Sequence, residues 1–147
     1  MSNAVLSGGS GLNGALKAIA ERLSNARAVN VGFQDGSTDD KGMSNATKAF
    51  LNEYGTSKTP SRPFFRNMIA KEKPSLHKKL SGALKANNFD ATKALGGMGL
   101  YLEDALKQSI NDLTSPALSP ATIAKKGFNK PLIDTSSMIK SITSEVV

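Results

Sequence analysis

Candidate catalytic groups are few, with one histidine and no cysteine in the chain. That residue, His77, is followed directly by Lys78 and Lys79. Its own helical turn supplies no carboxylate to orient it as a base. It reads as a surface or phosphate-facing residue. Serines are plentiful, yet none sits in a Gly-x-Ser-x-Gly elbow and no Ser/His/Asp set assembles. Asp39-Asp40 lacks the alternating oxygen ligands of a calcium loop, so both are expected in solvent. Gly8-Gly9-Ser10-Gly11 is not followed by the Lys-Ser/Thr of a phosphate-binding loop. Glu103 and Asp104 are neighbours on a helix and point apart, with Glu103 and Lys107 spaced as an ordinary i,i+4 pair. Without cysteine, disulfides and thiolate metal sites are excluded. These residues imply no enzyme activity, metal or cofactor.

Binding needs less apparatus, and here the charge distribution is informative. The net charge of +7 is concentrated in residues 58–85. Lys58, Arg62, Arg66, Lys71, Lys73, Lys78, Lys79 and Lys85 face one acid, Glu72, while the rest of the chain holds eleven residues of each sign. Such a segment suits a polyanion or an acidic protein surface, or serves as a solvated helix face. Phe64 and Phe65 open it, and stacking beside cations is one way to hold single strands. Adjacent aromatics at a helix entry more often anchor a core. No helix-turn-helix, zinc-finger or ribonucleoprotein signature accompanies them, so sequence-specific reading of nucleic acid is not expected.

The elements that position these residues follow from periodicity. Leu12, Leu16, Ile19 and Leu23 recur at i, i+4, i+7 and i+11, one stripe of an amphipathic helix ending near Asn25. Val29, Val31 and Phe33 alternate with Asn30 and Gly32, as in a strand with one buried face. Residues 34–42 are polar turn formers and read as an exposed loop. Ser44 is an N-cap for a short helix whose expected inner face is Thr47, Phe50, Leu51 and Tyr54. Leu76, Leu80 and Leu84 predict a helix over 74–86, with Pro74 starting it or bending a longer one. Asp90 caps the longest pattern, in which Ala91, Leu95, Met98, Leu102, Ala105, Ile110 and Leu113 approximate a stripe. Gly96, Gly97 and Gly99 interrupt it, marking close approach of another helix or chain, or else a kink. Ser119 and Pro120 open a further helix that Gly127 ends. Asp134 or Thr135 can cap a last turn carrying Met138 and Ile139. Residues 142–147 alternate enough to form a strand pairing with 28–33.

The fold class is therefore α+β: mostly helical, with a small antiparallel sheet packed against a long helix in the C-terminal half. A chain of 147 residues fits one domain over 12–147 behind a flexible Ser/Gly/Asn-rich segment, 1–11. No secretory signal is visible, and no apolar run approaches the roughly 20 residues that span a bilayer. A soluble protein with no membrane contact is expected, with a largely aliphatic core, since there is no Trp.

One segment, Asn52 to Phe65 (Asn-Glu-Tyr-Gly-Thr-Ser-Lys-Thr-Pro-Ser-Arg-Pro-Phe-Phe), reads as a helix end, a stiffened turn and a re-entry. Gly55 can adopt the left-handed conformation that closes a helix. Pro60 and Pro63 fix φ and bias the preceding residues towards extended geometry. Tyr54, Phe64 and Phe65 are three of eight aromatics, expected to pin the elbow into a core with Arg62 held between two prolines.

This Asn-Glu-Tyr-Gly-Thr segment followed by Pro-Ser-Arg-Pro-Phe-Phe resembles the signature of a family of tailed-bacteriophage neck proteins, the head–tail joining or tail-completion proteins. A second block, Leu118-Ser119-Pro120-Ala121-Thr122-Ile123-Ala124-Lys125-Lys126-Gly127 and then Pro131-Leu132-Ile133-Asp134-Thr135, is similar to the same family. Ser136 stands where the family's Pro-Leu-Ile-Asp-Thr-Gly run has glycine. The resemblance covers about residues 28 to 147. It implies a structural virion protein assembled in the host cytoplasm, forming a ring at the neck that joins the closed head to the tail and leaves a DNA channel. The partners implied are sibling copies (a hexamer by preference, a dodecamer otherwise), head-closure or adaptor proteins, and a tail terminator or tail tube protein. Contact with phage DNA would be transient. The residues expected to hold fold and ring together are Glu53, Tyr54, Gly55, Pro60, Arg62, Pro63, Phe64 and Phe65, with Leu118, Pro120, Leu132, Asp134 and Thr135. Arg62 and Asp134 could pair across the elbow. The basic residues open to DNA or a partner are Lys58, Arg66, Lys71, Lys73, Lys78, Lys79 and Lys85. A small basic protein binding nucleic acid without sequence preference is the alternative, and an assembly chaperone acting through amphipathic helices a third.

Overall fold

The computed structural model describes residues 8–113, 124 and 136–147. Helix α1 (Gly9–Leu23) leads into strand β1 (Val29–Phe33), helix α2 (Asn45–Tyr54), the long helices α3 (Phe64–Ala86) and α4 (Ala91–Asp112), a single turn α5 (Ser137–Lys140) and strand β2 (Ile142–Val146). The two strands pair antiparallel, Val29 opposite Val146 and Phe33 opposite Ile142. The α+β, mostly helical class expected from the pattern is the one observed, and the small sheet lies on α4. The helix expected over 119–127, with Leu118, Pro120, Leu132, Asp134 and Thr135, lies outside the described residues.

Local chemistry accounts for the element ends. Ser44 Oγ accepts the Thr47 amide at 3.4 Å, and the Asp90 carboxylate accepts the Lys93 amide at 3.0 Å, each meeting a donor that a helix start leaves unpaired. Those bonds, that of Lys93 first and that of Asn25 next, hold Asp90 below the usual carboxylate range. Helix α3 runs through Pro74 as one element, so the proline neither starts nor ends it. Helix α4 likewise passes the glycines unbroken. A Cβ on Gly99 would lie 2.6 Å from Ser144 Oγ and 3.0 Å from Val29 Cγ2, so what approaches is the sheet, not a helix or another chain. Gly96 and Gly97 face open space, and nothing in the structure explains them. Glu103 accepts a hydrogen bond from Ser144 Oγ at 2.5 Å, tying α4 to β2 in place of the pairing with Lys107 that its spacing suggested.

The core gathers Ala49, Phe64, Met68, Leu106, Ile110, Met138 and Ile142. Phe64 meets Phe33 edge to face at 6.1 Å, a preferred aromatic geometry. Three expectations about faces fail. Helix α1 forms but buries no residue. Helix α2 buries Asn45, Ala49 and Glu53 and leaves Phe50, Leu51 and Tyr54 exposed, the reverse of the apolar inner face its sequence suggested. Its small and polar side goes inward because Asn45 accepts from Ser137 Oγ at 3.2 Å and Glu53 finds backbone donors on α3. Finally, Asp39 is not in open solvent. It pairs with Lys48 at 2.7 Å and accepts the Met43 and Lys41 amides at 2.9 Å. The Lys48 hydrogen bond, then the Met43 amide, lower its pKa to about 2.

Candidate interaction surface at the elbow

Between Asn52 and Arg66 the chain closes on itself around Glu53. This carboxylate is buried at the end of α2 and accepts the Phe65 amide at 2.9 Å and the Arg66 amide at 3.1 Å. It therefore caps α3 from another helix, where a negative charge meets the positive end of the helix dipole. Arg66 completes the unit: Nε donates to Glu53 Oε1 at 2.8 Å, and Nη2 to the Glu53 carbonyl at 2.9 Å and Ser61 Oγ at 3.2 Å. Ser61 Oγ donates to the same carbonyl at 2.6 Å, and the Arg62 amide donates to Asn52 O at 2.7 Å. Thr56 Oγ1 accepts the Lys58 and Thr59 amides, tightening the tip.

Gly55 makes the closure possible. Its φ of 77° and ψ of 177° belong to a region essentially reserved for glycine. This is not the left-handed helical conformation expected from its position after a helix. A Cβ there would stand 2.7 Å from Ser61 N and 2.9 Å from Thr59 O. Phe64 is fully buried and its carbonyl accepts Ser109 Oγ at 2.6 Å, which fixes the elbow to α4. Phe65 is half-buried, as is Pro63, whereas Pro60 lies at the surface.

A further motif residue departs from its expectation. Tyr54 is outside the core, its ring 4.8 Å from that of Phe50 and tilted 48° to it, and it lies 5.3 Å from the Arg66 guanidinium. Arg62 is buried with no hydrogen-bond partner for Nε, and desolvation lowers its pKa. Asp134, its suggested counter-charge, lies outside the described residues. Phe50, Tyr54, Phe65 and Ile69 rim an apolar hollow of about 260 Å3 floored by Ala49 and Phe64.

The basic segment divides into engaged and free cations. Arg66 is held by Glu53. Lys79 donates to Glu72 at 3.2 Å and to Ser75 Oγ at 2.9 Å, and also bonds Tyr101, whose hydroxyl donates to Glu72. The Tyr101 bond, with Lys79, lowers the Glu72 pKa, and the same hydroxyl, with Glu72, raises that of Lys79. Lys58, Lys71, Lys73, Lys78 and Lys85 are exposed and join none of the ion pairs among the described residues. Lys71, Lys78 and Lys85, spaced by seven, share one face of α3. His77 is exposed on the same helix.

Sequence reasoning missed the Glu53 clamp and the Glu72–Tyr101–Lys79 cluster. A signal existed for the second, since Glu72 is the only acid in the basic run and Lys79 lies two turns along. Among the described residues, no group of three or more His, Asp or Glu side chains could hold a metal, and no helix is long and apolar enough to cross a membrane. Comparison with protein-family models, with curated proteins and with solved structures found no match.

Proposed function

We propose that this chain is a structural virion protein of a tailed bacteriophage. It forms an oligomeric ring at the head–tail junction that joins the closed head to the tail and leaves a passage for DNA. One observation carries the reading: the residues that resemble the neck-protein signature also form one hydrogen-bonded unit. Glu53 and Ser61 bond Arg66, the Arg62 amide bonds Asn52, and Gly55 admits the backbone that closes over it, which supports reading the segment as one structural unit. The unit presents an exposed aromatic hollow, and exposed apolar surface of this kind marks association. The work is joining, with no catalytic step and no cofactor. Protomers contact head to tail around the ring, with head-closure or adaptor proteins on one side and a tail terminator or tube protein on the other. Electron microscopy of purified particles with this polypeptide labelled tests the reading. Label at the neck in symmetric copies is expected, and virions lacking the chain would overturn it.

The free lysine row favours a second reading, non-specific binding of nucleic acid through α3. If Lys71, Lys78 and Lys85 each neutralise a phosphate, log affinity falls against log salt with a slope of about −2.7. A salt-independent affinity for duplex DNA, or none at all, removes this reading.

A further inference from the structure

We infer that copies of this chain join by seating the apolar ridge of α1 from one protomer in the elbow hollow of the next. The inference rests on the ring reading and specifies its interface. Among the described residues, one convex and one concave apolar surface stand uncovered. The ridge is Leu12, Leu16 and Leu23 on α1, a helix held by Arg22 Nε donating to Asn88 O at 2.8 Å and by Asn25, which bonds Asp90 and Thr92. The hollow is walled by Phe50, Tyr54 and Ile69.

Position along α3 decides how they meet. The anchor of α1 is at the turn after the C-terminal end of α3, while the hollow is beside its first turns. At 1.5 Å per residue, about 30 Å of helix separates them. The anchored end of α1 and the hollow therefore lie at opposite ends of α3. Joining unlike ends of identical chains is a heterologous contact, which propagates and closes into a ring when the rotation allows. A reciprocal isologous pair, ridge to hollow twice over, would also cover both surfaces but would stop at a dimer.

The area is of the right order. The six side chains are 40–62% exposed. Aromatic side chains such as Phe50 and Tyr54 carry roughly 150–250 Å2 each and the four aliphatic ones less, so the two faces offer on the order of 500 Å2 of apolar surface. A specific interface starts near 1,000 Å2, of which about 57% is apolar. The hollow is apolar, with Glu53 and Arg66 already paired to each other, so it offers a phosphate nothing and suits an aliphatic ridge.

The absence of native cysteine makes the test clean. Leu16→Cys and Tyr54→Cys are made as separate chains, both at exposed positions, and treated with a short bismaleimide alone and mixed. The expected result is a 16–54 linked dimer at least tenfold more abundant in the mixture than any product of either variant alone. The double variant should give a ladder ending at one closed species. Predominance of 16–16 or 54–54 links would overturn the inference, and so would a double variant that stops at a doubly linked dimer, the product of a reciprocal isologous pair. Oligomers of wild-type protein in mass photometry without any 16–54 link would overturn this interface and leave the ring standing. Neither links nor oligomers at the highest soluble concentration, with no label at the neck of virions, would remove both. If residues 114–135 fill the hollow instead, the thiol of the Tyr54→Cys variant in the dilute monomer resists a soluble maleimide, which also overturns the inference.

Discussion

The elbow and α1 both carry large apolar side chains, and the chain treats them in opposite ways. From Asn52 to Arg66, amide and carboxylate partners are found internally, with Glu53 buried and bonded to two amides and one guanidinium. Along α1, fifteen residues form a regular helix and not one is buried. The lesson is that periodicity reports which face of a helix is apolar, not what covers it. In α4 the same kind of stripe is covered by α3 and the sheet. In α1 no residue of the stripe is buried among the described residues.

Breaking the elbow should have the largest consequence. Gly55→Ala puts a methyl 2.7 Å from Ser61 N and forces a side chain into glycine-only backbone space, a loss of about 3 kcal/mol or more. Urea denaturation would show it as a lower midpoint at unchanged slope. Glu53→Ala uncaps α3 and frees Arg66, which should cost about 2–3 kcal/mol. Glu53→Gln, which keeps one acceptor, should cost roughly half of that. If Glu53→Ala melts like wild type, the elbow is not the rigid partner in this comparison.

Milder changes sharpen it. Ser136 holds a left-handed φ of 61° where the resembled family has glycine, so Ser136→Gly should raise stability by about 1 kcal/mol in the same denaturation experiment. Asp39, whose pKa is depressed to about 2 against 3.8 unfolded, contributes stability that is present above pH 3.8 and is lost as pH falls towards 2. Asp39→Asn should therefore flatten the acid limb of the melting curve between those values and leave the limb above pH 5 parallel to wild type. Leu12→Ser with Leu16→Ser should have the smallest effect, within about 0.5 kcal/mol in the dilute protein, because neither side chain is buried. The same pair should abolish self-association at high concentration in mass photometry.

Much of the fold was legible in residue order. Alternation marked β1 and β2, and the Leu76-Leu80-Leu84 and Ala91-to-Leu113 patterns marked the long helices. Ser44 and Asp90 were recognisable as caps because their hydrogen bonds are local. The buried face of α2 was not legible. Asn45 and Glu53 are polar by composition, and what draws them inward is a hydroxyl at Ser137 and amides at Phe65 and Arg66, distant in sequence or hidden in the backbone. Tyr54 was misplaced for the same reason: with Glu53 inward, its neighbour must face out. Gly55 was recognisable as a turn residue, but the need for a missing Cβ came from Thr59 and Ser61 folding back over it.

Hydrogen exchange measured on wild-type protein at low micromolar and at the highest soluble concentration tests the contrast most directly. The account predicts that α1 amides exchange at least a hundredfold faster than those of Phe65 and Arg66 in dilute solution. At high concentration α1 should gain protection while the elbow amides stay unchanged. Equal protection of the two regions in the dilute protein, or an α1 indifferent to concentration, would contradict it.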